Sequence, residues 1–169
     1  MTDWNLTPKP VADSQVLLAE LMSIVDTNVA GIVHGGTIMK LVDTAAGLAA
    51  IKHAGGMCVT ASVDEMSFLA AVHVGDVVTV KASVNDVGTT SLEVGARVET
   101  ENYVTHERVH TSSAYLVFVA LDEHGRPRPV PPVVPQTDDE LRRQREAKLR
   151  RDVRLAHKQA IAEGRVSGA

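Results

Sequence analysis

At 169 residues, 44% apolar and 22% charged, the chain is long enough for one domain with a substantial core and too short for two ordinary ones. A single cysteine, Cys58, excludes an intramolecular disulfide and cannot by itself build a metal site, which points to a reducing, cytoplasmic setting. Residues 1–140 carry 8 basic and 18 acidic side chains, an acidic body that argues against nucleic-acid binding, whereas residues 141–169 carry 9 and 3.

The opening stretch, MTDWNLTPKPVADS, has no apolar signal-like run, and no apolar run further on is long enough to span a bilayer, so no membrane is expected as a partner. Residues 14–25, SQVLLAELMSIV, read as an entry strand, and residues 26–35 as a loop containing Asp26, Asn28, Gly31 and Gly35. From Gly36 to about His53 the spacing of Ile38, Leu41, Val42, Ala45, Leu48 and Ala49 predicts a helix with one buried stripe. Lys52 and His53 fall in its last turn, where positive charge suits the dipole, and Gly55-Gly56 stops it.

Everything that follows is strand-like as far as the prolines. Residues 57–69 form one strand. Val78, Val80, Ala82 and Val84 alternate with polar residues, the chain turns at VGTT, and Leu92, Val94, Ala96 and Val98 alternate again, which is a half-buried hairpin. Residues 111–121, TSSAYLVFVAL, are apolar on both faces, as in a central strand. EHGRPRPVPPVVP then interrupts regular structure, and Thr137-Asp138-Asp139-Glu140 has the spacing of a capping box, so a charged helix is expected to about Glu163. One long helix and about five antiparallel strands make an α+β plan, with a single domain over 1–135 and a helical tail over 136–169. The helix covers one sheet face only, and the remaining edges favour self-association.

Asp43 is the residue that this plan does not explain. On a helical wheel it lies at the border of the apolar stripe, flanked by Met39, Ala46, Gly47 and Ala50, beside a groove of small side chains open to a ligand or another chain. A carboxylate in that position suits a general base. Upstream, Gly35 and Gly36 begin the helix and would present free N–H groups to an oxygen docked there. An acid together with an oxyanion-binding helix start is equipped for acyl transfer to water, although a lone Asp hydrogen-bonded to a neighbour and a plain His-Gly-Gly turn give the same pattern.

The blocks NVAGIVHGGTIMKLVDTAAG, VTASVDEMSF, VGDVVTVKASV, VGTTSLEV and SSAYLVFVALDEHGRPRPVPP stand in an order that resembles the hotdog-fold acyl-CoA thioesterases, and among them the cytosolic acyl-CoA hydrolase branch. The resemblance runs from about residue 14 to about residue 155. It implies a five-stranded antiparallel sheet wrapped around one long helix, two such units joined into a ten-stranded sheet, and active sites at the junction. It implies that Asp43 is the catalytic acid, as base or as nucleophile, working with Asn28 of the partner subunit. His34, Gly35 and Gly36 would position the substrate and its oxyanion, one such donor being worth roughly 3–4 kcal/mol.

The substrate implied is a medium- to long-chain acyl-CoA, split to fatty acid and CoA, with no metal and no organic cofactor. Gly88, Thr89, Thr90, Ser91, Arg126 and Arg128 are the candidates to bind coenzyme A phosphates, and Met66 and Phe68 to line the acyl channel. The expected assembly is a homodimer, built further into a trimer of dimers. Two readings from other classes stand beside this one. A hydratase would use Asp26-x-Asn28 with His34, though His34 comes late for that motif, and a non-catalytic acyl-CoA-binding module would release no thiol. His106-Glu107-Arg108-Val109-His110 matches H-E-x-x-H, but it lies in a strand-like region where Glu107 points away from both histidines, so zinc is not expected.

Overall fold

The structure, a computed structural model, describes residues 4–166. In chain order it has β1 (Lys9–Pro10), β2 (Val16–Leu21), α1 (Gly35–Ala54), β3 (Cys58–Phe68), β4 (Asp76–Val87), β5 (Ser91–Asn102), β6 (Arg108–Ala120), β7 (Val133–Val134) and α2 (Asp138–Val166). Five strands form one antiparallel sheet in the order β2-β4-β5-β6-β3, and β1 and β7 form a separate parallel pair. The expected α+β architecture, a five-stranded sheet around one long helix with a charged C-terminal helix, is the one found.

Period-2 alternation places Val78, Val80, Ala82 and Val84 of β4 beside Leu92, Val94, Ala96 and Val98 of β5, and these beside Ala114, Leu116 and Phe118 of β6. All are buried, and α1 lies over them with Ile38, Leu41, Val42, Ala45, Ala46, Ala49 and Ala50 facing inward. Each large side chain sealed here contributes about 1.5–3 kcal/mol. The helix is rich in alanine because the sheet comes close. A Cβ added at Gly47 would stand 3.6 Å from the Phe118 ring. Ala46 and Ala50, expected to leave a groove beside Asp43, are instead fully buried against the chain's own sheet.

At its C-terminus α1 stops at Gly55, which takes the left-handed conformation (φ 71°) and donates its N–H to the Ile51 carbonyl. Lys52 lies in the last turn as expected, but His53 does not serve as a second cation. It is fully buried, donates from Nε2 to the Pro131 carbonyl at 2.9 Å, and is held neutral because burial lowers its tendency to protonate. Further positive charge comes from Lys9 on the His53 carbonyl (2.8 Å) and Arg128 on the Ala54 carbonyl (3.1 Å), both brought in from outside the helix.

The other face of the sheet carries the first half of α2. Its capping box is formed, with Glu140 N–H donating to Thr137 Oγ1 and Thr137 N–H to Glu140 Oε2, each at 3.2 Å. Arg150 lies over the Tyr115 ring and grips Glu93 at 2.6 Å, and Arg154 pairs with Asp64. From Leu155 to Gly164 the helix is exposed. Among the described residues, no helix is long and apolar enough to cross a membrane.

Candidate active site

The loop before α1 is shaped by its own short-range hydrogen bonds. Asp26 caps a single turn of 3-10 helix, accepting from the N–H and the hydroxyl of Ser23, both at 2.8 Å, and these bonds hold its carboxyl below the usual range. Asn28 Oδ1 accepts the Ala30 N–H at 2.8 Å, an Asx turn that leaves the two amide N–H donors of Asn28 without a partner among the described residues. Asp26, required by the hydratase motif, is therefore spent on its own turn.

His34 is the N-cap of α1, and its Nδ1 accepts the Gly36 N–H at 2.8 Å. The expectation of two free N–H groups here is corrected: Gly36 is already bonded, and Gly35 is the residue whose N–H is left open. The close approach also explains the glycine, because a Cβ at position 36 would come within 2.9 Å of the imidazole. Asn28, Gly35, Ile38 and Phe68 line a cleft of about 430 Å³ with the 69–72 segment. The half-exposed Phe68 ring forms its wall over Gly35, and Met66 on the same strand is partly buried against the core.

Asp43 projects from α1 two turns further on and is exposed in the single chain. Its Oδ1 accepts the hydroxyl of Thr60 in β3 at 2.7 Å. Thr60 is the functional candidate that sequence reasoning missed. The signal is present in the sequence, because a strand whose face is set by Cys58 turns Thr60 to the side that α1 covers. The bond fixes one carboxylate oxygen and leaves the other free.

Asp43 and Asn28 do not meet within one chain. Asp43 stands by Thr60, near the start of β3, whereas the Asn28 cleft stands by Gly35 and by Phe68 at the end of β3, about 12 Å back along α1. β3 is also an edge of the sheet, with an unpaired outer side and half-exposed Val59, Val63 and Phe68 along it. Long apolar edges of this kind are otherwise avoided in proteins that stay single.

The coenzyme A candidates separate. Gly88–Ser91 form the β4–β5 hairpin turn, closed by Gly88 N–H on the Ser91 carbonyl at 2.8 Å, and the turn lies beside the Arg151 guanidinium of α2. Thr89 and Thr90 carbonyls are already used by Val130 and Ala120 N–H groups. Arg126 is exposed and pairs with Asp122. Arg128 is a correction: it is 5% exposed, gives its donors to the carbonyls of Leu121, Pro129 and Ala54, and stacks on Trp4, so its role is to tie α1 to the segment after β6. The H-E-x-x-H stretch straddles the β5–β6 turn, with His106 at φ 60° beside Glu101 and His110 bonded to Ser113. Among the described residues, no cluster of three or more metal-ligating side chains occurs.

Comparison with known proteins gives a family match and close relatives. Residues 30–105 match the family model described as thioesterase superfamily. The chain is 37% identical over 153 residues to YkhA, an uncharacterized acyl-CoA thioester hydrolase of Bacillus subtilis, covering 89% of each. It is 36% identical over 148 residues to the cytosolic acyl coenzyme A thioester hydrolase of Mus musculus, covering 86% of this chain and 39% of that one, so it spans about two fifths of that relative's length. Among solved structures, an apo-hexameric acyl-CoA thioesterase superposes with a TM-score of 0.87 at 38% identity, covering 90% of this chain and 97% of the other. An acyl-CoA hydrolase from Staphylococcus aureus, solved with butyryl coenzyme A, coenzyme A and coenzyme A disulfide, gives 0.85 at 33% identity, covering 92% and 95%.

Proposed function

Because the chain belongs to the thioesterase superfamily, and stands within it beside acyl-CoA thioester hydrolases, we propose that it hydrolyses acyl-CoA, of medium to long acyl chain, to fatty acid and CoA. The observation that carries the reading in detail is the separation of Asp43 from Asn28 along an unpaired edge strand. Antiparallel pairing of two β3 strands about a two-fold axis near Asp64 sets Thr60 of one subunit opposite Phe68 of the other. That brings Asp43 of one chain to the Asn28 cleft of its partner, twice per dimer. Hexameric relatives support assembly beyond the dimer, as a trimer of dimers.

In this site Asp43, steadied by Thr60, takes a proton from water as the water oxygen attacks the thioester carbonyl. The carbonyl oxygen gains negative charge and is met by the open Gly35 N–H, with the free Asn28 amide donors positioning the water or the carbonyl. Collapse of the tetrahedral intermediate breaks the carbon–sulfur bond, and the proton held by Asp43 passes to the leaving thiolate. His34 serves as the helix cap and is not needed as a base. The Gly88–Ser91 turn and Arg126 lie at the surface, where CoA phosphates would dock. The body over 1–135 carries all of these groups, and the first half of α2 lies behind the sheet.

The test is thiol release from a panel of acyl-CoAs, acetyl to palmitoyl. Asp43→Ala and Asn28→Ala should each be inactive alone. Unfolded and refolded together in equal amounts, they should regain about a quarter of wild-type activity, because half of the dimers then hold one intact site. No recovery, with mixed dimers present, rules out a site shared between subunits, and no turnover by the wild type on any ester rules out the reaction.

A further inference from the structure

The face of β6 that α1 covers holds one residue that core packing does not explain. Its buried positions run Ser112, Ala114, Leu116 and Phe118. Ser112 is 1% exposed, and its hydroxyl has no hydrogen-bond partner among the described residues. A buried hydroxyl left unbonded is less stable than an alanine in its place, so the missing partner must come from outside the chain.

The strand register shows from which side such a partner would enter. Ser112 is the direct cross-strand neighbour of Phe68, whose ring walls the Asn28 cleft over Gly35, so the two side chains share one face of the sheet. On its other side Ser112 pairs with Val98, at the point where the register of β5 and β6 shifts and Thr111 is the extra residue. Bulges of this kind re-aim side chains and occur beside active sites.

The surroundings of Ser112 limit what can reach it. Val98 and Ala114 are both fully buried, so the path ends there, and the bulky anionic nucleotide of CoA has no way through. The acyl end is the part of the substrate that suits a closed apolar end. A charged acyl terminus does not suit it, because Phe68, Val98 and Ala114 offer no counter-ion.

We propose that Ser112 is a specificity-determining residue at the closed end of the acyl channel, reached when the half-exposed Phe68 ring turns outward. The preferred acyl groups then carry a neutral oxygen, hydroxyl or oxo, several carbons from the thioester. Such an oxygen bonds the Ser112 hydroxyl, whereas a plain alkyl chain seals that hydroxyl against CH₂ groups. This specificity rests on the acyl-CoA hydrolase reading and refines it.

The test is steady-state thiol release from 6-hydroxyhexanoyl-CoA and hexanoyl-CoA, with wild type and Ser112→Ala. Wild type should favour the hydroxylated ester in kcat/KM by about tenfold or more. Ser112→Ala should lose on the hydroxylated ester and gain on hexanoyl-CoA, a split that a general loss of folding would not produce. A wild-type ratio near one overturns the proposal while leaving the hydrolase reading intact, and so does a preference that Ser112→Ala retains. If wild type cleaves neither these esters nor any in the acetyl-to-palmitoyl panel, the hydrolase reading fails and the role of Ser112 falls with it.

Discussion

Replacing Thr60 with valine removes one hydroxyl and almost no volume, and so isolates the 2.7 Å bond to Asp43. The bond fixes the plane of the carboxylate, and misplacing a reacting group by about 1 Å costs about a hundredfold. Asp43 stays anchored on α1, so only part of that loss is expected, and Thr60→Val should lower kcat about tenfold, with KM little changed and Thr60→Ser near wild type. Thermal stability should hold, because the bond lies at the surface of the single chain. Steady-state thiol release reads both constants. In an Asp43→Asn background the same Thr60→Val change should add nothing. A wild-type rate in the single variant, or an equal loss in both backgrounds, refutes the coupling.

Three further outcomes follow from buried groups. Arg150→Met strands Glu93, whose side chain is 5% exposed, and should cost about 3–5 kcal/mol in denaturant unfolding, whereas Arg150→Met with Glu93→Leu should recover most of it. His53 is kept neutral in the fold chiefly by burial, so the unfolded chain, with an imidazole near the ordinary 6.5, takes up the proton first. Its contribution to stability is full above that pH and is lost as pH falls below it. The unfolding free-energy gap between wild type and His53→Gln should narrow between about pH 7.5 and 5, and a constant gap would contradict the assignment. Burial pushes the Cys58 thiol up to about 11, so a thiol-reactive dye at about pH 8 should label it only on unfolding, and fast labelling of the native chain would show that the site opens.

Where the sequence repeats a simple period, the structure was legible in it. The hairpin around VGTT, the helix over Asp43 and the capping box at Thr137 come out within a few residues, because each is decided by neighbours two to four positions apart. Apart from the Gly36 N–H, taken up by His34 two residues before it, the errors are long-range. His53 and Arg128 read as a dipole cation and a candidate for coenzyme A phosphates until the segment after β6 folds back over the end of α1, burying the first against Pro131 and enclosing the second in carbonyls. β1 and β7 pair across more than a hundred residues with two residues each, too short to leave a pattern. Ala46 and Ala50 look like a groove on a helical wheel, and only the closeness of the sheet shows that they are its contact surface. In the candidate site, Asp43 stands out in the sequence by its misfit, whereas singling out Thr60 requires knowing which face of β3 the helix covers.

The uneven charge of the chain has the same long-range origin. An acidic body and a basic tail suggest, in sequence, a tail available to some other acidic partner. The acidic partner of α2 is largely the chain itself. Arg150 and Arg154 reach Glu93 and Asp64 on the outer sheet face, and Lys148 and Arg151 stand against Asp86, opposing the burial that holds its carboxyl above the usual range. A carboxylate half sunk in a sheet is tolerable only with a cation over it, and the arginine-rich helix is tolerable only with acids beneath, so neither charge run could be altered alone.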